Sequence, residues 1–343
     1  MRIGFVGAGA IAEHHLGVLS GQAGVEVAGI CDLDGARSAE LARRAGARAF
    51  SDWQAMLSAL PLDALFVCTP PAHHALPALA ALERGLAVYL EKPLARTLAD
   101  GEAIVEAWQQ SGAVCAVGYQ WRSLDVLDAL RAQLRGAQPG MLVSRSFGPT
   151  EAARNDLAGG AGWFADPAAS GGLLFELASH DIDLQIALAG PVESVQAGAG
   201  KGLLALAHKT GSGTHNACLT PEYALDDAVS VLLRFADGGL GACHVAWSTA
   251  QDPPLYALDV HTADCALRLV LDPIFELSGR AGGRAVEVAG AVPPRVSTVA
   301  RFLEAARRRE PAAVPCSPVA ALATLRALLA AERAIASGER VAV

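Results

Sequence analysis

Lysine is nearly absent from this chain. Of 27 cationic side chains only three are lysines, Lys92, Lys201 and Lys209. Arginine serves wherever a surface cation suffices, so a retained lysine points mildly to a place that needs a compact, titratable amine. Basic clusters are absent too, apart from Arg307-Arg308-Arg309, and the net charge is −8. That balance argues against a nucleic-acid partner, which calls for a basic face. No apolar run reaches the roughly 18 residues of a membrane-spanning helix. The most apolar stretch, Val319 to Ala331, is broken by Thr324 and Arg326. No C-x-x-C occurs among Cys31, Cys68, Cys115, Cys218, Cys243, Cys265 and Cys316. Scattered and odd in number, they read as reduced thiols of a cytoplasmic protein and not as a disulfide framework or zinc site. His208, His215, His244 and His261 show no ligand spacing, so no metal is expected. Ile3 to Ala12 is apolar, but Glu13-His14-His15 follow at once, against the pattern of a signal peptide.

What is present suffices for a large core. The chain has 343 residues, 52% of them hydrophobic, and at roughly 150 residues per domain this predicts about two domains. Up to about residue 120, short apolar runs (Arg2–Val6, Val25–Cys31, Ala47–Phe50, Ala64–Cys68, Ala87–Leu90, Val114–Val117) alternate with amphipathic stretches. This is the pattern of βαβ units around a parallel sheet, covered on both faces by helices. After Gly118 the pattern changes. A helix Leu124–Leu134 and a strand Met141–Phe147 precede a long irregular stretch from Gly148 to Ser170, which reads as a substrate loop. A helix over Gly172–Ala189 leads to strands Val192–Ala197, Ala228–Phe235, Gly239–Trp247, Tyr256–His261, Ala266–Leu271 and Ala285–Val288. Asp237-Gly238-Gly239 reads as a hairpin turn. Helices near Val296–Arg309 and Pro318–Ser337 close the chain. The expected architecture is α/β: a Rossmann dinucleotide-binding domain over 1–120, then an α+β domain over 121–343 with a large, mostly antiparallel open sheet.

The first strand runs into Gly7-Ala8-Gly9-Ala10-Ile11-Ala12, a G-x-G-x-x-A loop. Glycines there permit a tight turn and close approach of backbone to a pyrophosphate, which meets the following helix N-terminus; Gly7, Gly9, Ala10 and Ile11 are the expected contacts. The acid at the end of the second strand is Asp32. Its carboxylate suits ribose hydroxyls and repels a 2′-phosphate, which favours NAD, while the nearby Arg37 keeps NADP possible.

Further on stand Cys68-Thr69-Pro70-Pro71-Ala72-His73-His74, Glu91-Lys92-Pro93-Leu94-Ala95, Gly118-Tyr119-Gln120-Trp121-Arg122 and Gly171 through Asp183. With the glycine loop and the Pro315-Cys316-Ser317 tail, these motifs resemble the Gfo/Idh/MocA oxidoreductases over nearly the whole chain. The resemblance implies a Rossmann domain followed by an α/β domain whose open sheet builds a homodimer or homotetramer. It implies NAD(P)-dependent hydride transfer at a secondary hydroxyl or carbonyl of a sugar, inositol or related polyol. Lys92 matches the family's catalytic lysine, and Thr69, Pro70, His74 and Glu91 match positions lining the cofactor. The Lys92–Pro93 bond resembles one often cis in the family. Arg122 matches an Arg often kept near substrate, and Tyr119 beside it is a further candidate. His15 matches a common family histidine, read as structural.

Oxidising a secondary alcohol requires a base whose pKa lies near working pH, and His180 suits that task. On a helix from Gly172, residues Glu176, His180 and Asp183 fall at i, i+4 and i+7 and share one face, so a carboxylate would orient the imidazole. The family pattern has Asp where Glu176 stands, so its role would persist with a shifted carboxylate or pass partly to Asp183. Asp181 reads as solvated or structural. Lys92 would hydrogen-bond the reacting oxygen or share the proton. Trp163 and Phe164 fall in the long loop before that helix, where aromatic rings serve either to stack on a sugar face or to pack in a core. Two rival activities fit the same residues: an NAD-dependent glycoside hydrolase or lyase with transient redox, and a dinucleotide-binding regulatory protein.

Overall fold

The computed structural model describes residues 1–148, 163, 166–201, 226–247, 255–272 and 274–343. Phe164, Cys218, His208, Lys209 and His215, and most of the 148–170 stretch, lie outside the described residues. The chain forms two compact units, residues 1–120 with 295–322, and residues 121–294 with 323–343. The boundary after Gln120 lies where the motif pattern changes. Residues 295–322, expected within the second domain over 121–343, cluster with the first unit. The cause is apolar: Val299, Phe302, Leu303 and Ala305 of the helix Pro294–Arg308 join the Rossmann core. Phe302 stands edge-on to Phe66 and Tyr89, at ring separations of 5.6 and 5.5 Å, a favoured aromatic geometry.

The first unit alternates strand and helix: β1 (Arg2–Val6), α1 (Ala10–Ser20), β2 (Glu26–Cys31), α2 (Gly35–Ala45), β3 (Arg48–Phe50), α3 (Trp53–Ala59) and β4 (Ala64–Val67). A 3-10 turn, Pro71–His73, leads to α4 (Ala75–Glu83), β5 (Ala87–Leu90), α5 (Leu98–Ser111) and β6 (Cys115–Val117). The sheet order is β3-β2-β1-β4-β5-β6, every pair parallel. This is the doubly wound order, whose direction reverses between β1 and β4, and ligands of such sheets lie outside the strand ends at that switch point. Asp34 opens α2 by accepting the Ala36 and Arg37 amides, and Thr97 does the same for α5 through the Asp100 amide.

The second unit opens with a 3-10 turn, Gln120–Ser123, whose first residue still belongs to the first unit, and α6 (Asp125–Leu134). Its sheet comprises β7 (Met141–Gly148), β8 (Val192–Gly200), β9 (Ala228–Phe235), β10 (Leu240–Trp247), β11 (Leu255–His261), β12 (Cys265–Asp272), β13 (Glu276–Ala281), β14 (Arg284–Ala289) and β15 (Val341–Ala342). The order is β14-β13-β12-β11-β7-β10-β9-β8-β15. All neighbours are antiparallel except β7 and β10. The Asp237-Gly238-Gly239 hairpin forms where expected, whereas β13 and β15 are additions to the sequence reading. Alternate residues of β7 and β9 are buried, so one face of the sheet carries the core.

The segment expected as one uniform helix from Gly172 is not uniform. Leu174–Ala178 is a π-helical turn, and an α-helix follows over Ser179–Ala189. Gly171 before it is obligatory: its φ is +76°, and a Cβ would lie 2.4 Å from the Phe175 ring. Gln185 pins the helix to the sheet, donating to Ser144 Oγ and to the Ala242 carbonyl, both at 2.9 Å. Gly241 permits that approach, since a Cβ there would lie 2.3 Å from Gln185 Oε1. Among the described residues, no helix is long and apolar enough to cross a membrane.

Candidate active site and cofactor site

The glycine loop meets two distinct demands. Gly7 has φ +98°, and a Cβ on it would lie 2.5 Å from the Cys68 carbonyl oxygen at the end of β4. Only glycine fits there. Gly9, the N-terminal cap of α1, has φ −81°, which any residue adopts, and a Cβ on it would meet nothing within 4 Å. Neither backbone nor packing explains that glycine. Open space in front of a helix N-terminus is what a pyrophosphate requires. Ala10 and Ile11 form the first turn behind it, and the fully buried Ala12 brings the helix onto the sheet.

Asp32 is held at both of its carboxylate oxygens. Its Oδ2 accepts the Ala8 amide at 2.7 Å and its Oδ1 the Asp34 amide at 2.9 Å. One carboxylate thereby links the end of β2 to the glycine loop. Leu33, next to it, is 94% exposed, an apolar side chain open to the surface beside the acid. Arg37 is engaged by Asp34, Nε to Oδ2 at 3.3 Å. The residues present therefore fit a dinucleotide.

On the other side of the switch point, Thr69 Oγ1 donates to the His73 carbonyl, 3.1 Å, and closes the turn that contains Pro70. His74, fully buried, stands between two carbonyl oxygens. Nδ1 is 2.9 Å from Pro93 O and Nε2 is 2.9 Å from Thr69 O. Burial pushes its pKa below the ordinary value, against the pull of those carbonyls and of Glu91. Glu91 is buried as well. His15 Nε2 donates to its Oε1 at 2.6 Å, and the Lys92 amide donates to its Oε2 at 3.1 Å. Burial pushes the Glu91 carboxyl up, but the His15 bond, with His15, Arg295 and Lys92 as nearby positive groups, outweighs burial and holds it at about 2. The Lys92–Pro93 bond is cis. Of the expected cofactor contacts, then, Glu91 and His74 have side chains turned to the interior, where each binds another part of the unit. Tyr119, expected near substrate, is interior too, at 1% exposure.

In the second unit, His180 is the second residue of the helix Ser179–Ala189 and is buried, with the Trp121 ring 5.1 Å from its own. Trp121 also lies 6.2 Å from Tyr256. Glu176, half-buried, belongs to the π-helical turn. Such turns bond i to i+5 and recur at functional sites. The uniform-helix face expected for Glu176, His180 and Asp183 therefore applies only from Ser179 onward. Asp183 does not support His180 with a spare carboxylate. Arg122 takes it in a two-pronged bond, Nε to Oδ2 at 2.7 Å and Nη2 to Oδ1 at 2.8 Å, and Thr324 Oγ1 adds a third at 2.8 Å. Burial pushes the Asp183 pKa up, and Arg122 and Thr324 oppose it. Arg122, expected at substrate, spends its guanidinium on this pair. Asp181 is structural, not solvated: it is 1% exposed and accepts the Ser146 hydroxyl at 3.0 Å. Burial pushes it up to about 7, with the Ser146 and Ser144 hydroxyls pulling back. Trp163 is 40% exposed.

Sequence reasoning missed Thr324, Ser146, Gln185 and the His15–Glu91 bond. One signal was available: Thr324 interrupts the most apolar run of the chain, and that polar atom is the one bonded to Asp183.

The comparisons agree with this geometry. Residues 1–119 match the family model for the GFO/IDH/MocA oxidoreductase family, NAD-binding Rossmann fold, and residues 144–283 match the GFO/IDH/MocA C-terminal domain. The chain is 39% identical over 123 residues to 4-carboxy-2-hydroxymuconate-6-semialdehyde dehydrogenase of Sphingobium sp., covering 36% of this chain and 39% of that protein. It is 35% identical over 113 residues to inositol 2-dehydrogenase 3 of Saccharopolyspora erythraea, covering 33% of each chain. These two matches thus span less than half of the relatives' own length. D-apiose dehydrogenase of Paraburkholderia graminis is 27% identical over 297 residues, 84% of this chain and 72% of that one. Among solved structures, the WlbA dehydrogenase from Bordetella pertussis in complex with NADH and UDP-GlcNAcA superposes with a TM-score of 0.79 at 26% identity. That match covers 100% of this chain and 98% of the other. With both of its parts matched by the family's own models, the chain belongs to the GFO/IDH/MocA family of oxidoreductases, and residues 1–119 are its NAD-binding Rossmann domain.

Proposed function

We propose that the chain is an NAD-dependent dehydrogenase or reductase acting on a secondary hydroxyl or carbonyl of a sugar, inositol or related polyol. The observation that carries this reading is the retention of both proton-handling side chains, Lys92 and His180, in a chain whose glycine loop and Asp32 are arranged for a dinucleotide. A regulatory protein of the same fold has no use for that pair. The relatives named as dehydrogenases of inositol and D-apiose support the substrate class.

Bound NAD supplies the hydride acceptor. The chain's own residues supply the rest. Gly7 and Gly9 leave room for the pyrophosphate, the α1 N-terminus faces its charge, and Asp32 accepts the ribose hydroxyls. His180 is the base assigned to the hydroxyl proton, and Lys92 is the donor assigned to hydrogen-bond a reacting oxygen as negative charge gathers on it. Glu176 supplies the carboxylate that steadies His180. Asp183 acts indirectly, through Arg122 and Thr324, by fixing the helix that carries His180. Trp163 offers an exposed ring to a sugar face. Thr69 and Pro70 line the cofactor with backbone and turn.

The outward face of the large sheet carries exposed Met141, Leu232 and Leu240. In register Leu240 stands opposite both Met141 and Arg234. An apolar patch of this kind suits burial against a second copy, so the working form is a homo-oligomer. The six described cysteines are all buried and free, which accords with a reducing cytoplasmic setting.

The test is a 340 nm absorbance screen of purified protein and NAD against sugars, cyclic polyols and glycosides, with Lys92→Ala alongside. Sustained NADH formation with one compound, lost in the variant, establishes a dehydrogenase and names its substrate class. Release of an aglycone without net NADH overturns that reading in favour of the redox-neutral glycosidase.

A further inference from the structure

Lys92 has a buried histidine on each side of it. Its upstream neighbour, Glu91, is gripped by His15 through Nε2 and Oε1 at 2.6 Å, and the other Glu91 oxygen accepts the Lys92 amide at 3.1 Å. Gly118 closes over that carboxylate: a Cβ there would lie 3.2 Å from Oε2. Its downstream neighbour, Pro93, presents its carbonyl oxygen to His74 Nδ1 at 2.9 Å, and the other nitrogen of that ring faces the Thr69 carbonyl at the same distance. Both rings are fully buried, so neither is available to a ligand. They come from separate elements. His15 belongs to α1, the helix behind the glycine loop, and His74 joins the Thr69 turn to α4.

The physical need is plain. A lysine ammonium rides on a flexible four-carbon stem with many rotamers. Such a group acts at a defined atom only if its root is immobile, because a displacement of about 1 Å can cost on the order of 100-fold in rate. We propose that His15 and His74 are positioning residues for Lys92, two clamps that lock the backbone on either side of it to the glycine-loop helix and to the Thr69 turn. The proposal rests on the role assigned to Lys92 above.

The test uses full-length protein and the substrate that the NADH screen identifies. His15→Leu and His74→Gln are each expected to lower kcat about 10- to 100-fold, with a much smaller change in the dissociation constant for NAD. On a Lys92→Ala background the same substitutions should change the residual kcat by less than about twofold, because groups acting through one side chain are not additive. Residual rates that fall as far again overturn the proposal. His74→Asn offers a side-chain amide near the position of Nδ1 and so keeps the bond to Pro93, whereas His74→Gln reaches only towards Thr69. The Asn variant should retain at least about five times the kcat of the Gln variant, and equal rates, the reverse order, or failure of the Asn variant to fold would count against the clamp. Hydrogen exchange gives a readout independent of turnover. His74→Gln should speed amide exchange in residues 91–95 while β1 stays protected, and unchanged exchange there overturns the proposal. A Lys92→Ala enzyme as active as its parent defeats the functional reading itself, a result distinct from any of these.

Discussion

Arg122 and Asp183 are 61 residues apart in sequence and form a two-pronged ion pair, at 2.7 and 2.8 Å, in the interior of the second unit. Removing one partner of a buried pair strands the other charge, at a cost of about 3–5 kcal/mol. Arg122→Ala and Asp183→Ala should therefore each lower the urea midpoint of unfolding sharply. Arg122→Lys should recover only part of the loss, since an ammonium cannot make the parallel pair of bonds. If Asp183 instead served directly as a catalytic group, Asp183→Asn would lose turnover with its unfolding midpoint unchanged.

Asp181 makes a prediction about pH. Its folded pKa is raised to about 7 from an ordinary 3.8. Its neighbours explain why the proton is retained. Ser144 and Ser146 of β7 offer only hydroxyls, and Cys243 of β10 is a buried thiol. Arg145 of β7 is paired with Asp259, His244 of β10 bonds Ser230, and on the same helix Asp183 is taken by Arg122. Glu176 lies in the π-helical turn before the helix, and His180 is the adjoining residue. The sign follows from linkage. A raised acid contributes fully while both states are protonated, and its contribution falls as pH rises from about 4, where the unfolded chain ionises, to about 7, where the folded chain follows. Asp181→Asn should be near-neutral for stability at pH 4 and stabilising at pH 8, by up to about 4 kcal/mol. Chemical denaturation of both proteins across that range checks it, and parallel curves would place the Asp181 proton elsewhere.

These buried pairs also show what a linear reading can and cannot reach. The glycine loop and Asp32 are readable because each is local, a few residues whose spacing meets one geometric demand, whereas the Lys92 motif is readable only through its resemblance to a family. Strands such as Ala228–Phe235 were legible because alternation marks a half-buried face. β13 was missed because Ser278, Gly279 and Arg280 interrupt its alternation, and only its pairing with β12 and β14 makes it a strand. The π-helical turn was missed because the pattern of apolar residues does not distinguish a five-residue bonding step from a four-residue one. The helix Pro294–Arg308 was legible as amphipathic, but its pattern says only that one face is covered, not that the Rossmann core covers it. His15 and Glu91 are 76 residues apart, and nothing in either motif names the other.

Asp32 should govern both affinity and cofactor choice. It accepts the Ala8 amide and is the residue proposed to hold the ribose, so its loss should disturb the loop and the contact together. A hydrogen bond to a charged acceptor is worth about 1.5–3 kcal/mol, which predicts a dissociation constant for NAD raised roughly 10- to 100-fold in Asp32→Ala, read by calorimetry. NADP should lose far less, since the repulsion of a 2′-phosphate disappears with the carboxylate. Leu33→Ala should weaken both cofactors alike, by removing an apolar surface that carries no charge preference.

The two glycines of the loop separate folding from binding. Gly7→Ala places a methyl 2.5 Å from a backbone oxygen at a φ of +98°, so both sterics and conformation oppose it. Its thermal midpoint should fall, and cofactor binding should fall with it. Gly9→Val meets nothing within 4 Å and asks for an ordinary φ. Its folding stability without cofactor should stay within about 1 kcal/mol of the parent, the cost of replacing Gly by Val at a helix N-cap. Yet the valine side chain would stand in the space assigned to the pyrophosphate. NAD should then neither raise its melting temperature nor quench its fluorescence, while both effects persist in the parent. A Gly9→Val protein that binds NAD normally would show that the open space before α1 is not where the cofactor's phosphates lie.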